Sequence, residues 1–365
     1  MSNPSLSRSN ARPTLTLVSR RRLWPSSRKH PGLANGWHGS AWVAFKLAGG
    51  GIAVPAHVFE AIGRELAGEH GRRERAGGRG RIGAMIGCAA DAVIAAYAAR
   101  QGIASKAVAR AACKHVVAQS ARAGAWDLHM GLAGALLAFA EIAAVEPGAL
   151  RGVHPGRLAA RLLPRLDMLC ALPPRGWQTG MAHGPAGAIV ALETCAALGW
   201  CKVTTAHRQR WLDALSGAAV AAADGALLWP AIAGQRELGL QSWCAGTPGI
   251  ALALLSCFRL TREPAYLEFA RGALDGVRHL FDKAFFSKTL CCGSAGYRHI
   301  FVEAYRITGE TAWLELAERD ARYARRAGPR PRLGLHQGEL GIAYLAERLA
   351  QPRAFPFPAL GVSSM

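Results

Sequence analysis

The sequence lacks long hydrophobic runs, and no stretch reaches the 18 apolar residues without charge that a membrane helix requires. The alanine-rich run that ends at Ala223, for example, is stopped by Asp224. The basic amino-terminal segment has only one apolar run, residues 15–18, which is too short for a signal peptide. These absences predict a cytoplasmic protein without a membrane span. In that compartment its nine cysteines stay reduced, and clustered ones are read first as metal ligands.

Aromatic residues are also scarce, at 7% of the chain, and β-branched residues are few. Alanine, leucine and arginine are abundant instead, and all three favour helix. The composition therefore predicts an all-α protein. Its 365 residues suffice for one large domain or two ordinary ones with a sizeable core.

Acidic residues are outnumbered, with 24 Asp and Glu against 44 Lys and Arg, which gives a net charge of +20. Much of the excess lies in two places, and no nucleic-acid-binding motif accompanies it, so we expect no nucleic-acid partner. Attraction to an acidic peptide stays open. The first group of basic residues comprises Arg8, Arg12, Arg20, Arg21, Arg22, Arg28 and Lys29. The second comprises Arg72, Arg73, Arg75, Arg79 and Arg81.

The first group lies in a segment rich in Ser and Pro that cannot bury a core. The chain therefore divides into a disordered basic tail, residues 1–30, and a folded domain, residues 31–365. Removal of the tail is expected to leave the melting temperature unchanged.

The folded domain is built from a repeat, in which Gly-x-x-Gly precedes an apolar helical stretch. The copies read GWHGSAWVAFKLA, GLAGALLAFAEIA, GPAGAIVALETCA, GTPGIALALLSCF, GSAGYRHIFVEAY and GELGIAYLAERLA, with a weaker copy GCAADAVIAAYAA. They begin at Gly36, Gly131, Gly184, Gly246, Gly293 and Gly338, and the weaker copy at Gly87. From Gly36 to Gly338 is 302 residues over six intervals, or roughly fifty per repeat.

A second element follows each apolar helix and carries one charged face. Residues 264–281 and 311–327 are examples, with helix boundary signals at Pro264 and at Gly328-Pro329. Each repeat is therefore a helical hairpin. Because the first helix of each is apolar nearly all round, about seven hairpins are predicted to close into an α/α toroid with inner and outer layers.

Closure would bring equivalent positions of all repeats to the same end of the ring. The position two residues before the first glycine is therefore informative. It holds Ala34, Met85, His129, Ala182, Cys244, Cys291 and His336.

Cys244 and Cys291 are thus expected to be neighbours, and Cys292 follows directly. Three converging thiols suit zinc, which prefers thiolate ligands and tetrahedral geometry, and three protein ligands leave one position open. The alternatives are small buried cysteines beside a glycine or a vicinal disulfide.

His183 directly precedes Gly184, and Asp127 lies four residues before Gly131. On the cysteine end of the ring these residues are candidates for proton transfer, His183 as the acid or base and Asp127 as its partner. A structural histidine and a helix-capping aspartate are the alternatives. His129 and His336 share the rim as rival metal ligands or supporting groups.

The segments SWCAGTPGIALALL, TLCCGSAG, GMAHGPAG and LGLHQGELGIAYLAERLA resemble the signature motifs of the lanthionine synthetase C-like family. The resemblance runs from residue 32 to the end and is strongest to the cyclase region of class II lanthipeptide synthetases that use three cysteine zinc ligands. It implies an α/α toroid that binds Zn²⁺ through Cys244, Cys291 and Cys292. It also implies lanthipeptide antibiotic biosynthesis, in which cysteine thiols of a dehydrated precursor peptide add to dehydroalanine or dehydrobutyrine and close thioether rings. His183 and Asp127 would be the acid/base residues.

Two departures from the family pattern bear on activity. Ala245 stands where the family usually has His or Tyr after the first zinc cysteine. The chain also has no room for the dehydratase region of class II enzymes, so a separate dehydratase is the expected partner. A zinc-bearing scaffold that grips a peptide without catalysis is therefore the alternative function. A glycosidase or a glutathione-adding relative on the same fold is a further one, and a glycosidase would need paired carboxylates on the rim.

Overall fold

Inner and outer helices alternate along the chain in a computed structural model that describes residues 13–19, 33–34, 37–73, 81–222, 224–283, 285, 287–320 and 334–359. The inner helices are α2 (Trp37–Gly49), α4 (Ala89–Arg100), α6 (Leu132–Val145), α8 (Pro185–Ala197), α10 (Thr247–Thr261), α12 (Ser294–Thr308) and α14 (Glu339–Ala350). The outer helices are α3 (Ala56–Arg73), α5 (Lys106–Ser120), α7 (Pro155–Cys170), α9 (Thr205–Gly217), α11 (Pro264–Phe281) and α13 (Thr311–Glu318). A short helix α1 (Pro13–Ser19) precedes them.

The two layers differ in pattern as the sequence predicts. Inner helix α6 is buried on every side from Leu132 to Ile142, so it has no polar face. Outer helix α7 buries Leu158, Leu162 and Leu166, which are four residues apart and form one apolar stripe. The expected all-α fold of two helical layers is confirmed.

The second glycine of the repeat motif permits a close approach of backbone. A Cβ atom on Gly249 would lie 2.1 Å from the carbonyl oxygen of Trp243, and one on Gly187 would lie 2.0 Å from that of Met181. In each case the carbonyl belongs to the loop that leads into the helix. The motif thus lets this loop cross the first turn of each inner helix and holds its residues on the rim.

The ring closes between the last and the first repeat. The backbone N–H of His336 donates to the carbonyl of Ala34 at 2.9 Å, and the rings of Trp42 and Tyr344 are 5.9 Å apart. These contacts join α14 to α2. The predicted toroid, rather than an open superhelix, is therefore the structure.

Helix α1 lies across this closure and departs from the expected disorder of the tail. It packs against α14, α2 and α3, and it buries Thr14 and Val18 completely. Three apolar residues within positions 15–18 are enough to pack one helical turn against an existing groove, although they cannot make a core of their own. The remainder of the predicted tail, residues 1–12 and 20–30, lies outside the described residues. So do Arg75 and Arg79 of the second basic group.

Helix boundaries agree with the sequence in one outer helix and differ in another. The expected helix over residues 264–281 is α11. The one expected over 311–327 ends at Glu318, where Arg319 turns to extended backbone and donates to Asp282 Oδ1 at 2.7 Å, and residues 321–327 lie outside the described part. The other short elements are a 3₁₀ turn (Pro147–Leu150) and an antiparallel pair, β1 (Val220–Ala221) and β2 (Leu227–Leu228). Among the described helices, none combines the length and apolarity that crossing a membrane requires.

The carboxyl-terminal halves of the inner helices bury several carboxylates, each with a basic partner. Glu141 pairs with Lys46 at 2.6 Å, Glu193 with Arg208 at 2.7 Å, and Glu303 with Arg348 at 2.6 Å. The three glutamates follow the first glycine of their repeats by nine or ten residues, so they lie away from the glycine-loop rim. Their negative charges are compensated internally, as buried charges must be.

Candidate metal centre and proton-transfer pair

A circle of backbone hydrogen bonds links the glycine loops into one rim. The N–H of His129 donates to Ala182 at 3.0 Å, and the N–H of Ala182 donates to Cys244 at 3.3 Å. The N–H of Cys291 donates to His336 at 2.7 Å. These are the positions two residues before the first glycine, so the predicted register is confirmed and residues distant in sequence become neighbours.

Cys244 and Cys291, in adjacent loops of this rim, are in contact through their side chains. Their Sγ atoms are 3.7 Å apart, and the Cys292 Sγ is 3.3 Å from that of Cys291. All three sulfur atoms lie within 4.8 Å of one another, with Cys244 buried and the other two half-buried. The described cysteines are free thiols, so the alternative of a vicinal disulfide is not what the structure shows.

The geometry and chemistry of this cluster fit zinc. With Zn–S bonds of about 2.3 Å and tetrahedral angles, ligand sulfur atoms are separated by ~3.8 Å, close to the spacing of these thiols. Hydrogen bonds from Cys291 and Cys292 lower the pKa of Cys244, so the cluster already favours one thiolate. The same contacts with Cys244 raise the pKa of Cys291 and Cys292. A divalent cation would replace those two protons and compensate the thiolate charge.

Ser242 and Gln241 support the cluster and were not predicted. The Ser242 hydroxyl lies 3.0 Å from the Cys244 Sγ. The Gln241 side chain donates to the carbonyls of Trp229 and Leu238 at 3.0 and 2.8 Å, and accepts from the Thr247 N–H at 3.0 Å. Gln241 thus fixes the loop to the start of α10. Their position in the QSWCAG segment directly before the cysteine is the one sequence signal for either residue.

His183 and Asp127 form the predicted pair on the same rim. The His183 Nδ1–H donates to Asp127 Oδ2 at 3.2 Å, and the other carboxylate oxygen accepts from the Met130 N–H at 2.8 Å. Asp127 therefore both caps its loop and orients the imidazole. The hydrogen bond to Asp127 raises the pKa of His183 above its ordinary value. The His183 side chain is 30% exposed, so it is accessible to a substrate.

The pair is close enough to the cysteine cluster for their charges to interact. After the hydrogen bond and the charge of Asp127, the negative charge of Cys244 also raises the pKa of His183. The structure therefore brings all five predicted residues to one end of the ring.

His129 and His336 lie beside the cluster and not in it. Among the described residues, the group that could hold a metal comprises the three cysteines alone. The His129 ring lies 4.7 Å from that of His183, and the buried His336 ring lies 5.0 Å from Trp243. Burial lowers the pKa of His129 to about 4 and that of His336 to about 3. Both imidazoles are therefore neutral at neutral pH.

Ala245 lies in a tight turn against its neighbouring loop. Ser242 and Ala245 exchange backbone hydrogen bonds of 2.8 and 3.2 Å, and a Cβ atom on Gly180 would lie 2.6 Å from the Ala245 Cα. The position offers no polar side chain to the site. The departure seen in the sequence is therefore located directly beside the metal-ligand candidates.

Comparisons with known proteins agree with this architecture. The model of the lanthionine synthetase C-like protein family matches residues 173–360, which is just over half of the chain. Among solved structures, nisin cyclase is similar over 93% of both chains, with a TM-score of 0.68 and 14% sequence identity, a likeness that concerns the fold. A comparison with curated proteins found no match. The repeat motifs, the helical toroid and the family match together show that this chain belongs to the lanthionine synthetase C-like family.

Proposed function

We propose that this protein is a zinc-dependent cyclase that forms lanthionine or methyllanthionine rings in a dehydrated precursor peptide. The reaction joins a cysteine thiol of the peptide to the β-carbon of dehydroalanine or dehydrobutyrine. The observation that carries the proposal is the His183–Asp127 pair on the same rim as three clustered thiols. Family membership and the likeness to nisin cyclase support it.

Cys244, Cys291 and Cys292 would hold the zinc ion, which when bound lowers the pKa of a substrate thiol at its remaining coordination position. Ser242 orients the Cys244 sulfur through its hydroxyl. Gln241 keeps this loop in register with α10. The chain thus supplies a preformed ligand set whose spacing does not depend on the substrate.

His183 transfers the proton that the addition requires. Attack of the thiolate on the β-carbon produces an enolate, which must gain a proton at Cα. Because the hydrogen bond to Asp127 raises the pKa of His183, a useful fraction of the imidazole is protonated near neutral pH and can donate that proton. Asp127 stabilises the imidazolium, and the Met130 N–H keeps the carboxylate in place.

A peptide-binding scaffold without catalysis is the second candidate, and Ala245 is the observation that favours it. A polar group missing next to Cys244 could leave binding intact and the addition slow. A glycosidase is disfavoured, because the rim carboxylate Asp127 is paired with His183, while Glu141, Glu193 and Glu303 are paired with cations deep in the inner layer.

The test is incubation with a synthetic peptide that contains one cysteine and one dehydroalanine. Ring closure leaves the mass unchanged but removes the thiol, so alkylation of remaining thiols followed by mass spectrometry measures it, and chiral analysis of the lanthionine separates it from uncatalysed addition. We expect one stereoisomer, formed faster than background. Binding of the peptide with background rate and mixed stereochemistry would establish the scaffold instead. If the Ala245→His variant gains activity, the missing polar group beside Cys244 is what slows the parent chain.

A further inference from the structure

Two outer helices carry cations in the same regular spacing. Lys106, Arg110 and Lys114 follow one another every four residues on α5, which contains no acidic residue. Arg157, Arg161 and Arg165 repeat that spacing on α7. We name these six residues the cation ladder. Like charges four residues apart destabilise a helix, so helix stability does not account for the pattern.

The two rows of the ladder are linked at one contact between α5 and α7. The Arg161 guanidinium donates to the carbonyl of Ser120, the last residue of α5, at 3.0 Å. Lys114 and Arg157 are exposed, and Arg110, Arg161 and Arg165 are partly exposed.

Carboxylates of the same region neutralise one of the six ladder cations and otherwise pair outside the ladder. Residues 101–170 contain four acidic residues, Asp127, Glu141, Glu146 and Asp167, against eight Lys and Arg. Asp127 binds His183 and Glu141 binds Lys46, while Glu146 is nearly buried and lies 3.3 Å from Lys106. Among the described residues, the other five ladder cations have no carboxylate within salt-bridge distance. Asp167 of α7 pairs with Arg210 at 3.2 Å, outside the ladder, whereas α11 pairs its own charges, as Arg278 does with Asp275.

The ladder leads to the candidate site. Helix α5 continues into the loop that carries Asp127, and α7 continues into the loop that carries His183. Two exposed apolar side chains mark the rim end of α7, namely Met168 at 66% and Leu172 at 58% exposure. A chain bound along the ladder would therefore pass apolar contacts and arrive beside the proton-transfer pair.

We propose that the cation ladder binds an acidic segment of the peptide substrate, outside the residues that form rings, and directs the remainder to the rim. The proposal rests on the cyclase function and adds where the substrate binds. Cations four residues apart on a helix are separated by about 6 Å along its axis. Alternate side chains of an extended peptide are separated by about 6.7 Å. An extended segment with acidic residues at alternate positions therefore matches the ladder.

Fluorescence anisotropy with a labelled ten-residue peptide of alternating Glu and Ser tests the binding, with a Gln–Ser peptide as the uncharged control. We expect the Glu–Ser peptide to bind and the Lys114→Glu, Arg157→Glu double variant to weaken binding about tenfold. Both residues are exposed and make no contact that the fold needs. The matched control is Arg64→Glu with Lys283→Glu, which changes the net charge equally on exposed positions outside the ladder.

If both double variants weaken binding of the Glu–Ser peptide equally, general charge attraction explains the binding and the proposal is wrong. It is also wrong if the ladder variant binds the peptide as tightly as the parent chain. Tighter, ladder-dependent binding of a ten-nucleotide single-stranded RNA would assign the surface to nucleic acid instead. The probe has neither cysteine nor dehydroalanine, so its binding is independent of metal and of ring closure. If the cyclase is active on a substrate with such a segment, the ladder variant raises KM and leaves kcat unchanged.

Discussion

His183 is the residue whose substitution best separates proton transfer from metal binding. Its imidazole contacts Asp127 and is not one of the clustered metal-ligand candidates. His183→Asn should therefore retain the metal and slow ring closure by about 10²-fold, the size of one general acid or base. His279→Asn is the matched control, because His279 also pairs with an aspartate, Asp224 at 3.0 Å, but belongs neither to the His183–Asp127 pair nor to the clustered cysteines. Equal rates for the parent and His183→Asn chains would remove His183 from the mechanism.

The pH dependence of ring closure should report the same imidazole. The hydrogen bond to Asp127 raises the pKa of His183, and the donating form is the imidazolium, so activity is present below this pKa and lost as pH rises through it. Asp127→Asn removes the carboxylate that stabilises the charge. The alkaline decline of the rate should then move to lower pH in that variant. A decline at the same pH in both chains would show that another group titrates.

The zinc content of the chain should depend on the three clustered cysteines. The parent chain should contain about one zinc, and Cys291→Ser or Cys292→Ser should lose most of it, since a hydroxyl is a poor zinc ligand at neutral pH. Cys201→Ser, a half-buried cysteine outside the cluster, should keep the metal. Elemental analysis after gel filtration is the measurement. Full zinc content in a Cys291→Ser, Cys292→Ser double variant would place the metal elsewhere.

Residue positions on the rim were predictable, but only some of their contacts were. The repeat register places Cys244 beside Cys291 because equivalent backbone positions meet in a closed ring. Whether a neighbouring histidine turns toward the cluster depends on side-chain packing, and His336 packs on Trp243 instead. Ser242 stands four residues before its glycine, as Asp127 does, but residue types at this position differ between repeats, so only the folded loop shows what Ser242 and Gln241 hold.

At the level of the helix, stability should be most sensitive to substitution of the second glycine of each motif. An Ala at Gly249 would place its Cβ 2.1 Å from the Trp243 carbonyl, where backbone must move, and the expected cost is about 1–3 kcal/mol of unfolding free energy. Gly49→Ala at the end of α2 has nothing within 4 Å of the new Cβ and should be neutral or slightly stabilising. Chemical denaturation of both variants measures the difference. Since Trp243 adjoins Cys244, Gly249→Ala should also lower zinc content.

Inner helices were more predictable than outer ones. An apolar stretch after Gly-x-x-Gly has one stable environment, the interior, so its helix follows from pattern alone. Outer helix α13 ends at Glu318, where Arg319 is extended and pairs with Asp282. Asp282 is 37 residues away in sequence, so the local pattern of residues 311–327 does not predict this contact.

At the scale of the whole molecule, ring closure makes the two ends of the described chain depend on each other. The segment after α14 buries Phe355 and Phe357, and the Phe355 ring would be 2.4 Å from a Cβ on Gly50 of the first repeat. Helix α1 covers the same closure from the other end of the chain. The first and seventh inner helices meet there through Trp42 and Tyr344, and α1 packs against both of them.

Deletion of residues 1–19 should therefore destabilise the toroid, contrary to what the composition of the tail predicts. Loss of α1 exposes the surface that buries Val18 and Thr14, at a cost on the order of 2 kcal/mol, and the melting temperature should fall by several degrees. Deletion of residues 1–12 is the matched control, since it removes Arg8 and Arg12 but spares α1, and it should leave the melting temperature unchanged. Val18→Asp in the full chain should reproduce the larger deletion, because a carboxylate cannot be buried there without a partner. If both deletions melt with the parent in differential scanning calorimetry, α1 contributes nothing to closure and the contacts of α14 with α2 suffice. If only the larger one melts early, the amino-terminal helix completes the ring.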